Sequence, residues 1–219
     1  ILPSSLINLP RFGSVNLHAS LLPKYRGAGP IQWALMNGDK TTGITIFQIQ
    51  PTIDSGDILY QKKVEIYKND DMQSLGIRLC KIGANSMLNV LTHFEKGTIQ
   101  RQTQNVREIS LAPKITKEML IINWFWTAEK IHNWVRGLSP SPGMYTIYKG
   151  KKLGIFKTEI KKGSGRSGKI LELNKNNFLI GTGKGIISIL ELQLEGRKKM
   201  EIKNFLMGSY MKKGEILGK

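Results

Sequence analysis

The chain has 219 residues, 40% of them hydrophobic, which is enough to form the core of one large domain or two small ones. Its one cysteine, Cys80, excludes an intrachain disulfide framework and a multi-cysteine zinc site, and no apolar run is long enough to cross a bilayer. The formal net charge of +17 is uneven, because residues 111–219 carry 21 Lys and Arg against 8 acidic residues. This excess indicates a polyanionic partner or, alternatively, a solvated lysine-rich surface.

Strand and helix patterns alternate along the first 97 residues. An apolar strand at 15–20 precedes a short helix at 30–38, and two more strands follow at 42–50 and 55–66. The clearest amphipathic helix covers 70–97, with apolar residues at helical spacing and Gly97 at its end. This alternation predicts an α/β sheet.

The second half has a different pattern. Residues 98–113 are polar and weakly periodic, which predicts a linker. After a helix at 127–137, short strand patterns are separated by turn sequences such as KKGSGRS, NKNN (174–177) and GKG. Short strands at regular spacing predict a small β-barrel or sandwich, and a short helix at 202–207 follows them.

The first strand carries polar residues at alternate positions. Asn16, His18 and Ser20 therefore share one face of the strand, which stops at Pro23. The next strand leads into a loop that contains Asp54. Because reactive groups collect where strands end at the edge of an open α/β sheet, these residues form a candidate acid–base and oxyanion group. The three histidines are widely separated in the sequence, which argues against a metal site.

Three stretches of the chain carry a family resemblance. The run NLHASLLPKYRGAGPIQWALMNGDKTTGITIFQIQPTIDSGDILYQ, at 16–61, resembles the folate-dependent formyltransferases, most closely those that act on methionyl-tRNA. INWFWTAEKIHNWVRGLSPSPG, at 122–143, is similar to the start of the C-terminal domain of that family, and LQLEGRKKMEIKNFLMG, at 192–208, to its end. The resemblance thus covers essentially the whole chain.

The resemblance implies an activity and a set of site residues. The reaction would transfer the formyl group of 10-formyltetrahydrofolate to the α-amino group of methionine on initiator tRNA, without a metal. By similarity, the catalytic residues are Asn16, His18 and Asp54. The residues that contact the folate, also by similarity, are Ser20, Leu21, Leu22 and Pro23.

The resemblance also implies the domain organisation. Residues 1–97 would be the C-terminal half of a Rossmann-like formyltransferase domain, 98–113 a linker, and 114–219 an OB-like β-barrel that binds tRNA on a basic face. Because the motif begins close to the first residue, we expect a chain that lacks the earlier part of its catalytic domain. The basic residues expected to contact tRNA are Arg136, Lys161, Lys162, Arg166, Arg197, Lys198 and Lys199.

Two local departures and two alternatives remain. Asn123 and Ser141 stand where family members usually carry Asp and Trp. One alternative is a formyltransferase for a small amine or nucleotide-sugar acceptor, and the other is an inactive, truncated RNA-binding remnant. We expect a monomer without a membrane partner, in the bacterial cytoplasm or, alternatively, in mitochondria or plastids.

Overall fold

The computed structural model of the chain describes residues 3–174, 177–207 and 211–218. The chain divides into two compact units, the first formed by residues 1–34 and 39–115 and the second by residues 35–38 and 116–219. Two residues of the predicted turn at 174–177 lie outside the described part.

The elements up to residue 115 follow the predicted order, with one short addition at the start. They are α1 (Ser4–Ile7), β1 (Val15–His18), α2 (Pro30–Met36), β2 (Thr41–Gln48), β3 (Ile58–Glu65) and α3 (Met72–Glu95). No sequence pattern indicated α1. The three strands form an antiparallel sheet in the order β1–β2–β3, so β2 is its central strand.

Helix α3 covers one face of this sheet. It begins with a capping box, in which Asp71 accepts from the backbone of Ser74 and the Ser74 hydroxyl accepts from the backbone of Asp71. Val90 and Phe94, on the apolar side of α3, pack against Ile46 of β2. The other face of the sheet has its own apolar cluster, formed by Leu22, Phe47 and Ile58.

The segment 98–113, predicted as a linker, lies along the first unit. Gln102 exchanges two backbone hydrogen bonds with Ile58, at 2.8 and 2.9 Å. Further along, Arg26 and Leu111 form a parallel bridge between the segment and the loop after β1. The segment therefore contributes backbone pairing to the unit that carries the candidate site.

The second unit is built mainly from short strands. Helix α4 (Ala128–Leu138) leads into β4 (Met144–Tyr148), β5 (Lys151–Lys161), β6 (Ile170–Asn174), β7 (Asn177–Gly181), β8 (Ile186–Leu194), β9 (Met200–Glu201) and α5 (Ile202–Leu206). All strand pairs are antiparallel, in the order β4–β5–β8–β7–β6, with β9 paired to β8.

The predicted barrel is not closed in the described part of the chain. The strand ladders there form an open path with β4 at one end and β6 at the other. The C-terminal segment reaches both ends, since Gly218 N–H donates to Ile147 O at 2.8 Å and Leu217 N–H donates to Gly168 O at 2.9 Å. Three backbone hydrogen bonds with residues 168–170 and the one with Ile147 thus join the C-terminal segment to both ends, while the named strands themselves form an open path.

No helix within residues 3–174, 177–207 and 211–218 combines the length and the apolar character needed to span a membrane.

Candidate active site

The two faces of β1 have different roles. Leu17 lies opposite Ile46 and packs toward α3, where Gly83 leaves room for it. Asn16 and His18 point to the other face, about 7 Å apart along the strand. Asn16 is exposed, whereas His18 is only 6% exposed and sits edge-on to the ring of Phe47. The predicted polar face is therefore opposite the helix-packed face.

The two ring nitrogens of His18 have different neighbours. Nε2 lies 2.8 Å from the backbone oxygen of Tyr25. A carbonyl oxygen can only accept, so Nε2 carries a proton and donates. Nδ1 faces Oδ2 of Asp54 at 3.6 Å, which is longer than a direct hydrogen bond. Nδ1 is thus the ring nitrogen that faces the carboxylate.

Asp54 is held in an unusual backbone conformation. Its φ is +49°, in the left-handed region that few residues other than Gly, Asn and Asp adopt. Its Oδ2 accepts the backbone N–H of Gly27 at 2.8 Å, and the side chain is 14% exposed. The carboxylate is therefore fixed between the glycine loop after β1 and the ring of His18.

A buried amide in the 98–113 segment fixes the Asp54 loop. Gln104 is 5% exposed, and its Nε2 donates to the backbone oxygens of Asp54 at 2.9 Å and Gly56 at 2.7 Å. Its Oε1 accepts from Nε and Nη2 of Arg26, at 3.1 and 2.7 Å. Burial lowers the pKa of the Arg26 guanidinium, while the nearby Asp54 charge acts in the opposite direction.

Sequence reasoning missed both Gln104 and Arg26. Gln104 lies in a polar stretch without periodicity, and it contacts Asp54 across 50 positions of sequence. Arg26 stands in the glycine-containing loop YRGAG, and an arginine in such a loop is ordinarily expected to be solvated. Neither position carries a local signal of its role.

The turn after β1 holds the residues expected to contact the folate. Ser20 is fully buried, and its hydroxyl donates to Lys24 O at 2.5 Å. Leu22 is also buried, and its N–H donates to the hydroxyl of Thr45 at 3.0 Å. Pro23 is buried as well, while Leu21 is half-buried. Three of the four side chains therefore shape the turn from the inside.

The basic residues expected to contact tRNA lie at three places in the second unit. Arg136 is on α4, where its Nε donates to Asn133 at 2.9 Å. A second group lies at the end of β5 and in the loop after it, and consists of Lys161, Lys162 and Arg166. The third group lies in the loop between β8 and β9, and consists of Arg197, Lys198 and Lys199. The six residues of the two loop groups are exposed, apart from Lys161, which is half-buried.

Metal ligands are not grouped at this site. In the described part of the chain, no three His, Cys, Asp or Glu side chains lie close enough together to hold a metal ion. The groups that this face offers to a ligand are the exposed amide of Asn16 and the His18–Asp54 pair.

Comparison with known proteins decides the family. Residues 1–91 match the family described as formyl transferase, and residues 114–210 match the formyl transferase C-terminal domain. The chain belongs to the formyl transferase family. This confirms the resemblance inferred from the sequence.

Individual formyl transferase relatives agree with the family assignment. The methionyl-tRNA formyltransferase of Geobacter metallireducens is 41% identical over 218 residues, which cover 100% of the chain and 70% of that protein. The solved methionyl-tRNA formyltransferase of Clostridium thermocellum has a TM-score of 0.62 at 22% identity. The match covers 92% of the present chain and 74% of the Clostridium chain.

A second solved structure of similar fold belongs to a longer chain. The structure of HypX from Aquifex aeolicus in complex with tetrahydrofolic acid has a TM-score of 0.69 at 21% identity. It covers 89% of the chain, which in turn spans 34% of HypX. At this identity, the two solved structures show that the fold is shared.

Proposed function

We propose that the chain transfers the formyl group of 10-formyltetrahydrofolate to the α-amino group of methionine on initiator tRNA. The observation that carries the proposal is the His18–Asp54 pair beside Asn16, in a chain 41% identical to a methionyl-tRNA formyltransferase over its whole length. The concentration of positive charge in residues 111–219 favours a tRNA acceptor over a small amine or a nucleotide sugar.

The side chains suit acyl transfer to an amine. The amine attacks the formyl carbon, a new C–N bond forms, and the bond from that carbon to the folate nitrogen breaks. Negative charge develops on the formyl oxygen, where the exposed amide of Asn16 and a protonated His18 can donate hydrogen bonds. Asp54 stabilises the charged imidazole, accepts the amine proton through one intervening water and returns it to the folate nitrogen as the bond from that nitrogen to the formyl carbon breaks, which regenerates the carboxylate.

The remaining site residues are proposed in the same way. The folate supplies the formyl group, and Ser20, Leu21, Leu22 and Pro23 are the proposed contacts with it. The buried positions of Ser20 and Leu22 support a role in shaping that surface. The first unit would correspond to the second half of a Rossmann-like domain, within the proposed boundaries of 1–97 for this part and 98–113 for a connecting segment.

Residues 114–219 are proposed as an OB-like tRNA-binding domain. Antiparallel short strands and the contacts of residues 217 and 218 with both ends of the sheet support this assignment. The proposed phosphate contacts are the basic residues predicted above, since such contacts position RNA without reading its sequence. We place the activity in a monomer in the bacterial cytoplasm, where the initiator tRNA is found.

The proposal predicts a strong effect of Asp54→Asn. Asparagine adopts positive φ and can still accept the N–H of Gly27, so the backbone is kept while the charge is lost. We expect kcat/KM for formylation of initiator methionyl-tRNA to fall about 10²- to 10⁴-fold, the usual contribution of a positioned acid–base group. The measurement is incorporation of labelled formyl groups from 10-formyltetrahydrofolate.

Asp57→Asn is the matched control for this experiment. Asp57 lies three positions away in the same loop, and its carboxylate contacts only the hydroxyl of Thr103 among the hydrogen bonds of the described residues. Its kcat/KM is expected to stay within about twofold, because the change does not reach the reacting atoms. An Asp54→Asn variant as active as Asp57→Asn would contradict the proposed role.

A further inference from the structure

A cleft of about 210 Å³ opens on the outer face of the second unit's sheet. Tyr145 on β4, Gly154 on β5 and Gln193 on β8 are direct cross-strand neighbours, so their side chains share this face. Gly154 lies between the other two, and the ring of Phe156 lies against its backbone. The buried residues of β5, such as Leu153 and Ile155, point the other way, into the core.

Two aromatic rings form the walls of the cleft. The rings belong to Tyr145 and Phe156, both half-buried. The ring of Phe156 lies against two glycines, since a Cβ atom built at Gly143 or Gly154 would be 2.3 or 3.0 Å from a ring carbon. The absence of side chains at these two positions thus allows the ring to lie close to the strands, where it is held in place.

One ammonium group lies over the face of each ring. Nζ of Lys152 is 4.0 Å from the centroid of the Tyr145 ring, and Nζ of Lys199 is 4.7 Å from that of Phe156. Lys199 also pairs with Glu191 at 3.2 Å. The exposed Arg197 belongs to the same loop, which begins directly after β8. Lys152 and Lys199 therefore place one positive charge beside each ring, with the carboxylates of Glu195 and Glu191 close by.

The polar groups in the cleft are already oriented. Nε2 of Gln193 donates to Arg197 O at 2.9 Å, which directs the Gln193 amide oxygen away as a remaining acceptor. Glu195 lines the cleft as well, and its Oε2 accepts the backbone N–H of Lys152 at 2.9 Å. Both groups are acceptors, which suits a ligand with amino groups on its edge.

We propose that this cleft binds one unpaired base of an RNA, which stacks against Tyr145 and Phe156 in place of the ammonium groups of Lys152 and Lys199, while those ammonium groups move to the flanking phosphates. The inference rests on the proposed function, because it names the part of the second unit that would contact the tRNA. Clefts for drug-sized ligands have volumes of about 300–1,000 Å³, so this smaller one suits a single planar group. Every base offers a π-face for stacking, but a base inside a duplex has both of its faces covered.

The test uses the complete chain and two probes. One probe is an end-labelled oligoadenylate of eight nucleotides, and the other is the same ribose-phosphate chain without bases. Fluorescence anisotropy measures the Kd of each. We expect the base-bearing probe to bind at least about fivefold more tightly, the lower end of the effect of stacking one base. Tyr145→Leu and Phe156→Leu are each expected to remove most of this difference and leave the affinity for the abasic probe within about twofold.

Phe125→Leu is the matched control. The ring of Phe125 is 82% exposed in the same unit, and its backbone oxygen lies beside Gly183, before the start of β8. Gln193 is near the other end of that strand, more than about 20 Å away. The control variant is expected to keep the difference between the two probes.

Three results would overturn the proposal: equal affinity of the wild-type chain for both probes, no binding of either, or the same loss in Phe125→Leu as in Tyr145→Leu. The comparison of probes on the wild-type chain does not depend on whether a variant folds. If the chain formylates initiator methionyl-tRNA but shows no base-dependent binding, the base-binding role of the cleft is rejected and the proposed function is kept. Base-dependent binding without formylation would support the cleft and reject the proposed function.

Discussion

At the scale of single residues, Gln104 connects three groups of the candidate site. One buried amide satisfies two backbone oxygens in the Asp54 loop and the guanidinium of Arg26. The loop has to keep a left-handed residue at Asp54. Because such a conformation is costly, it persists only where neighbouring contacts fix it. Gln104 is therefore best understood as a positioning residue.

Gln104→Leu should destabilise the chain. The leucine fills the space but leaves two carbonyls and a guanidinium without their partner, so we expect the free energy of unfolding to fall by about 1–3 kcal/mol. Urea denaturation followed by circular dichroism measures this. Gln102→Leu is the control, because Gln102 is exposed and its contribution to the fold comes from its backbone. Equal losses of stability in the two variants would argue against a role of the Gln104 amide in holding the Asp54 loop.

At the scale of elements, α3 depends on its first turn. Asp71 and Ser74 form a reciprocal cap there, and the helix then packs on one face of the β1–β2–β3 sheet. Asp71→Ala removes the side-chain acceptor for the backbone N–H of Ser74. We expect a loss of about 0.5–2 kcal/mol in the free energy of unfolding. Gln73→Ala, at an exposed position inside the same turn, should cost much less, and thermal unfolding distinguishes the two.

Contacts of Glu215, in the C-terminal segment of the second unit, predict that the stability of the chain falls at acid pH. Glu215 accepts the Tyr148 hydroxyl at 2.8 Å and pairs with Lys149 at 2.8 Å. The bond from Lys149, followed by that from the backbone N–H of Lys212, lowers the pKa of Glu215 from 4.5 to about 2. A lowered pKa of an acid adds stability above its unfolded value, and that stability is lost as the pH falls toward the folded value.

Glu215→Gln tests this dependence. We expect the wild-type chain to exceed the variant in stability at pH 6, and the difference to shrink between about pH 4 and pH 2. Thermal midpoints across that range provide the measurement. Glu159→Gln alters only an exposed ion pair with Lys161, so its difference from wild type should be small at every pH. A difference in thermal midpoint between wild type and Glu215→Gln that stays the same from about pH 6 to about pH 2 would contradict the lowered pKa of Glu215.

At the scale of the whole molecule, the uneven charge predicts a salt-dependent affinity. The double variant Arg197→Gln/Lys198→Gln removes two exposed charges from the β8–β9 loop. We expect the slope of log K against log salt for initiator tRNA to become less steep by about one per lost phosphate contact. Lys62→Gln/Lys63→Gln, exposed on β3 in the first unit, is the control of equal charge. An equal change of slope in both variants would favour a general electrostatic effect.

The sequence predicted local features well and distant contacts poorly. Alternation in β1 placed Asn16 and His18 on one face because the period of a strand is a local property. The same holds for α3, whose apolar spacing predicted the helix, whereas its capping box at Asp71 and Ser74 was not predicted. Gln104 could not be found in this way, since its partners lie 48, 50 and 78 positions earlier and nothing in its own neighbourhood repeats. The open path of the second sheet also depends on which strands pair across long distances, which turn patterns leave undetermined.

The position of Gln104 also bears on how the chain can be divided. A fragment ending at Gly97, after the last helix of the first unit, would retain Asn16, His18 and Asp54. It would nevertheless lose the amide that holds the Asp54 loop and the strand-like pairing of Gln102 with Ile58. The natural point of separation lies after residue 115, where the first compact unit ends. The part of this chain that holds Asn16, His18 and Asp54 in place therefore extends past α3, into a segment that the sequence pattern predicted only as a linker.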